Sequence, residues 1–170
     1  SAQRHSADGR VVELRQGGKL PPVFAPHVVG GHLSDYLSLA HLMDADQPLL
    51  GLHPRGLDGT TAPAATMEDL AADAVRAMRS RAHNGPYRLM GYSFGGVVAY
   101  EMARQLTGSG DEVSQLVLLD PFVPWKDASR LLREVARPLR AGSTAKAFAR
   151  ATRVLPAAIG LREAPLDLNE

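Results

Sequence analysis

Gly91-Tyr92-Ser93-Phe94-Gly95-Gly96 stands between a strand candidate, Tyr87 to Met90, and a stretch in which Val97, Val98, Glu101, Met102, Arg104 and Gln105 fall at helical spacing. A Gly-x-Ser-x-Gly turn in this setting permits few folds. It requires a strand that feeds straight into a helix, a unit at home in parallel sheets with helices packed on their faces. The glycines are needed for mechanical reasons, because the turn is so sharp that neighbouring backbone passes where a side chain would otherwise sit, and the serine is forced into a strained conformation. The same turn lifts the serine oxygen clear of the sheet and points the N–H of Phe94, at a helix N-terminus, towards a position where negative charge can develop. Ser93 is the candidate nucleophile and Phe94 a candidate oxyanion donor.

The rest of the chain reads as further strand–helix units. Val23-Phe24-Ala25 leads into the loop Pro26-His27-Val28-Val29-Gly30-Gly31, and Ser34-Asp35 precede Tyr36, Leu37, Ala40 and Met43 at helical spacing. Pro48 to Leu52 is a second apolar run, with a long exit rich in Gly, Pro, Thr and Asp over His53 to Pro63. From Thr66 the pattern Leu70, Ala71, Ala74, Val75, Met78 predicts a helix with Thr66 as N-cap and Glu68 and Asp69 where the helix dipole favours them. Gly108 and Gly110 are expected to stop the helix that follows the serine, and Leu116 to Leu119 reads as a strand buried on both faces. Residues 1–21, with Gly9, Gly17 and Gly18 and ending at Pro21, read as a tether or irregular edge; 22–124 form the core; 125–170 form a separate, basic helical region.

A hydroxyl is a poor nucleophile unaided, so a base and an orienting carboxylate are required, and in a fold built on this strand–turn–helix nucleophile the chain order is Ser, then Asp or Glu, then His. Asp120 meets the second requirement: it ends the run Leu116 to Leu119, 27 residues beyond Ser93, and ligand-binding groups in open parallel sheets gather at the carboxyl ends of strands. Its bland alternative is a turn-capping aspartate before Pro121. The second oxyanion donor is expected from the Pro26 to Gly31 loop, by spacing the N–H of Val29, with that of Val28 competing. His27 lies on the oxyanion side, ahead of the nucleophile, which favours shaping that loop over acting as the base.

Composition removes several other classes. A formal net charge of +1 is far from the excess that a phosphate backbone demands, so no nucleic acid partner is expected. No run is long and apolar enough for a bilayer and SAQRHSADGR lacks a secretory h-region, so a soluble, cytoplasmic chain without a membrane partner is expected. Zero Cys excludes a cysteine nucleophile, a disulfide scaffold and a thiolate metal site, and no metal is expected. Residues 125–153 hold eight Lys or Arg against Asp127 and Glu134. Arg130, Arg133, Arg137 and Arg140 are spaced as one helix face, either solvated or available to an acidic surface.

Taken in order, Val23 to Gly31, Gly51-Leu52-His53-Pro54-Arg55-Gly56-Leu57-Asp58-Gly59, Gly85-Pro86-Tyr87-Arg88-Leu89, Gly91 to Gly96 and Glu101-Met102-Ala103 resemble the type I thioesterase domains of nonribosomal peptide and polyketide synthetases. The resemblance runs from about residue 22 to residue 122. It implies an α/β-hydrolase fold: a mostly parallel sheet with helices on both faces and a helical lid, here the basic region after Trp125. It further implies Ser93 as the acylated residue, Asp120 as its acid partner, and His27 and Val28 beside the substrate. The implied substrate is an acyl or peptidyl chain delivered as a phosphopantetheine thioester on a carrier protein, with no directly bound cofactor. Two departures are visible. Val28 stands where the family often has Pro, and all six histidines (5, 27, 32, 41, 53, 83) precede Ser93, so none follows Asp120. The expectation is that the C-terminal strands and the base are missing from these 170 residues. A free-standing editing thioesterase and a non-catalytic module that binds acyl chains or carriers are the alternatives.

Overall fold

The computed structural model describes residues 9–57 and 59–121; the expected lid over 125–170 lies outside the described residues. Five strands form one sheet: β1 (Val11–Arg15), β2 (Val23–Pro26), β3 (Leu49–Leu52), β4 (Tyr87–Tyr92) and β5 (Val113–Leu119). Three helices connect them: α1 (Asp35–Leu42), α2 (Met67–Arg79) and α3 (Phe94–Gly108). The strand order is β1-β3-β2-β4-β5, with β3, β2, β4 and β5 parallel and β1 antiparallel to β3. The mostly parallel α/β sheet is as expected from the sequence.

Alternation along the strands divides the core in two, because successive side chains point to opposite faces. Phe24, Leu50, Leu52 and Leu89 pack with Ala71, Val75 and Met78 of α2 and Val98, Met102 and Leu106 of α3. On the other face Val23, Ala25, Leu49, Met90 and Val117 pack with Tyr36 and Ala40 of α1. The α2 boundary follows its sequence signals: the Thr66 hydroxyl accepts from the Asp69 N–H at 3.1 Å, and Ala71, Ala74, Val75 and Met78 are buried. The α3 helix runs through Gly108, and Gly110, at φ +89°, follows it in the left-handed region.

Three readings are corrected. The tether expected over 1–21 contains β1, whose Val11 and Val12 are buried, because Val11 to Arg15 pair with β3 and close that edge of the sheet. Leu37, one of the apolar residues read at helical spacing, is 41% exposed, because Tyr36 and Ala40 define the buried line of α1. The strand at Leu116 to Leu119 begins earlier, at Val113, and its Leu118 and Leu119 are only half-buried. The physical reason is that among the described residues nothing pairs with the outer side of β5.

Candidate active site

The chain's successive strands depart from β2 in opposite directions, β3 to one side and β4 to the other. The carboxyl ends of β2 and β4 therefore flank a topological switch point, the place where open α/β sheets bind ligands. Ser93 sits there, between β4 and α3, with φ +51° and ψ −123°. It is one of two non-glycine residues with positive φ among the described residues; the other is Asp120, at +41°. Strained backbone of this kind costs about 1–3 kcal/mol per residue and persists only where the surroundings enforce it. Here the enforcement is visible: the Ser93 N–H donates to the Leu119 carbonyl at 2.9 Å and the Gly96 N–H donates to the Ser93 carbonyl at 2.9 Å. Although Ser93 occupies the N-cap position of α3, its side chain makes no capping hydrogen bond.

The glycines of the turn are required by close approach. A Cβ on Gly95 would lie 2.6 Å from the Tyr36 hydroxyl and 2.7 Å from the Pro26 carbonyl oxygen. One on Gly96 would meet Pro121 at 3.0 Å. The first residues of α3 are thus seated between the end of β2 and the chain leaving β5. Asp120 directly follows the residue whose carbonyl holds the Ser93 N–H, and it is exposed at the carboxyl end of β5.

On the other flank, Pro26 to Gly31 folds into a tight loop with a 3-10 turn at Val29–Gly31. Gly30 and Gly31 both take φ +83°, a conformation that favours glycine. The competing oxyanion donor is already engaged: the Val28 N–H donates to the His32 carbonyl at 3.1 Å, and Val28 itself is buried. Val29 stands at the loop's exposed tip. From the exit of β3, His53 Nδ1 bonds the Gly31 carbonyl at 2.9 Å, a brace that the sequence did not single out. A cleft of about 770 Å³ lies along that exit, lined by His53, Pro54, Arg55, Leu57, Asp73 and Arg76. The buried Asp73 carboxylate is flanked by Arg76 and, at 2.8 Å, by Arg55 Nε, which ties the loop to α2.

His27 is buried beside Phe94, their rings 6.0 Å apart between centroids. Its Nδ1–H donates to the Val28 carbonyl at 2.8 Å, which leaves Nε2 as the unprotonated nitrogen, buried and without a partner. Burial holds the imidazolium form down, opposed by the Val28 hydrogen bond and reinforced by His53 and His32, so the pKa falls below the ordinary 6.5. The unfolded chain takes up a proton at this residue at a pH where the folded protein does not, so stability is fully present above 6.5 and declines as the pH falls towards the folded value. Replacing His27 by glutamine is expected to flatten the fall in urea midpoint between about pH 7.5 and about pH 5. Parallel pH profiles for the two proteins would refute this account of the ring.

A serine raised on a strand-to-helix turn of a mixed sheet with helices on both faces defines the α/β-hydrolase class. Within it, the chain belongs to the thioesterase domain family, whose sequence profile matches residues 21–162. It is 39% identical over 122 residues to the dimodular nonribosomal peptide synthase of Bacillus subtilis (strain 168), a match covering 69% of this chain and 5% of that protein. Among solved structures it is similar to the NocB thioesterase domain from the nocardicin cluster, at 31% identity and a TM-score of 0.60, covering 92% of this chain and 70% of that one. That domain has also been solved as a covalent complex with a fluorophosphonate nocardicin G analog. YbtT, a type II thioesterase from the yersiniabactin pathway, shares the fold at 20% identity and a TM-score of 0.54, covering 85% of this chain and 66% of that one. Among the described residues no helix is long and apolar enough to cross a membrane, and no group of three or more His, Asp or Glu is placed to hold a metal ion.

Proposed function

We propose that the chain releases peptidyl or polyketide products from a carrier-protein phosphopantetheine thioester by way of an acyl-enzyme on Ser93. The observation that carries the reading is the strained Ser93, its hydroxyl uncommitted to capping, at the switch point and hydrogen-bonded through its backbone to Leu119, the strand residue that Asp120 follows. Ser93 Oγ attacks the thioester carbonyl, the C–S bond breaks, and the pantetheine thiol leaves with the proton taken from the serine. Water, or an amine or hydroxyl of the bound chain, then attacks the ester, giving an acid or a macrocycle and restoring the serine. The N–H groups of Phe94 and Val29 hold the oxyanion, and Asp120 orients the base. The base is the one member of the triad that the six histidines, all ahead of Ser93, do not supply in the usual order. His27 shapes the oxyanion loop, and with Val28 it borders the acyl group. The likeness to a multidomain peptide synthase favours release of a finished chain over free-standing editing, and a carrier protein as the partner.

Incubation with an alkyl fluorophosphonate, followed by intact mass and peptide mapping, tests this. A single adduct on Ser93 is the expected result, since the reagent phosphonylates only an activated serine. An unmodified Ser93 would overturn the acyl-enzyme reading for this chain in favour of a module that binds acyl chains or carriers without turnover.

A further inference from the structure

Hydrogen bonding along β2 alternates between its two neighbours. The N–H groups of Val23 and His27 donate to the Pro48 and Leu52 carbonyls at 3.0 Å, both on the β3 side, so the polar groups of Phe24 and Pro26 face β4. On β4, Tyr87 and Ser93 donate to the Glu112 and Leu119 carbonyls on the β5 side, so the Tyr92 N–H faces β2. Pairing of β2 with β4 stops at Phe24 and Leu89. The cause is in the sequence: Pro26 is the next residue to face β4, and it has no N–H to contribute. In the same register, the next rung of the ladder would run from the Tyr92 N–H to the Pro26 carbonyl. That rung is occupied by a side chain. The Tyr36 hydroxyl accepts from the Tyr92 N–H at 2.9 Å and donates to the Pro26 carbonyl at 2.8 Å.

We infer that Tyr36 is a positioning residue: its hydroxyl is a spacer inserted into the β2–β4 ladder, setting the distance between the oxyanion loop and the nucleophile turn. Two hydrogen bonds stand where a ladder would have one, so the strands are held apart at a defined width. Pro26 alone would let the crevice gape, and Tyr36 bridges it. The side chain is almost fully buried, and Gly95 passes against the same oxygen, so the spacer also gauges the seat of α3. Burial pushes the phenol up to about 12, partly opposed by the Tyr92 N–H, and Tyr36 therefore remains a protonated donor at physiological pH.

The inference rests on the acyl-enzyme reading for its kinetic consequence, and the test separates the two. In Tyr36→Phe, the limiting rate of Ser93 phosphonylation by the alkyl fluorophosphonate should fall about 10–100-fold with the half-saturating concentration unchanged, because the donors and the nucleophile lose their spacing. The Tyr92 amide should exchange with solvent at least about tenfold faster. Tyr87→Phe is the matched control. It removes another buried phenol hydroxyl, bonded to the His83 carbonyl at 3.2 Å at the opposite end of β4, and both readouts should stay within about twofold of wild type. Equal rate losses in the two variants, or faster Tyr92 exchange with an unchanged rate, would overturn the positioning role. A measurement on the unmodified protein does not depend on the variants folding: the Tyr36 hydroxyl proton should be observable by NMR with a cross-peak to the Tyr92 amide, and its absence would overturn the spacer. Should wild-type Ser93 take no label, the acyl-enzyme reading is what fails, and that cross-peak alone decides whether Tyr36 spans the crevice.

Discussion

Ser93→Ala is expected to eliminate the fluorophosphonate adduct and lower thioester release by at least about 10³-fold, while leaving the urea midpoint where it was. Alanine keeps the Cβ, so the backbone at φ +51° and ψ −123° is no less strained than before. Ser93→Gly separates chemistry from strain. It is equally inactive, but glycine occupies this region without a Cβ clash, and relief of about 1–3 kcal/mol outweighs an entropic cost of about 0.5–1 kcal/mol. The glycine variant should therefore be more stable than the alanine variant by about 1 kcal/mol. Equal midpoints for the two would mean that the turn stores no strain, and residual adduct in either would move the nucleophile elsewhere.

The second large effect is expected at Gly95. Replacing a helical glycine with alanine ordinarily gains up to about 1 kcal/mol, and Gly108, in the same helix with nothing within 4 Å of its would-be Cβ, should behave that way. At Gly95 the added methyl meets the Tyr36 hydroxyl, the Pro26 oxygen and, at 3.0 Å, the His27 oxygen, two of which are backbone atoms that cannot rotate aside. Gly95→Ala should lose about 1–3 kcal/mol through overpacking. It should also lose most of its phosphonylation rate, because relief comes by pushing the oxyanion loop off the turn. Thermal or urea unfolding of the Gly95 and Gly108 variants side by side decides the point. If they shift alike, the close approach of β2 and α3 is wrong.

Much of this arrangement is legible in the sequence because it rests on local chemistry. Thr66 with Glu68 and Asp69 announces the start of α2, and the apolar residues that follow at three- and four-residue intervals define its buried face. The glycines around Ser93 announce a turn whose closeness is then visible in atoms. What the sequence conceals is long-range. Val11 to Arg15 is five residues between Gly9 and the Gly17-Gly18 pair, and only the pairing partner 34 or more residues away makes it a strand. Tyr36 and Ala40 mark the buried line of α1, but nothing in that spacing shows that the phenol's oxygen would end in a strand ladder. The same holds for His53, whose partner carbonyl at Gly31 is reached only once β3 lies beside β2. Leu118 and Leu119 read as fully buried because an apolar run carries no information about whether a strand has one neighbour or two.

The two faces of the sheet are unequally supported, and this bears on how the protein fluctuates. One face is covered by α2 and α3, with 13 and 15 residues; the other, among the described residues, by α1 with eight. Local opening follows the density of packed contacts, so among the described helices the eight-residue α1 is expected to open before α2 and α3. Its departure would withdraw the Tyr36 side chain and free the oxyanion loop while the nucleophile stayed in place on β4 and α3. On that expectation, amide exchange in α1 should outpace exchange in α2 and α3, and the oxyanion loop would lose its spacing to Ser93 before the β4–α3 unit opens.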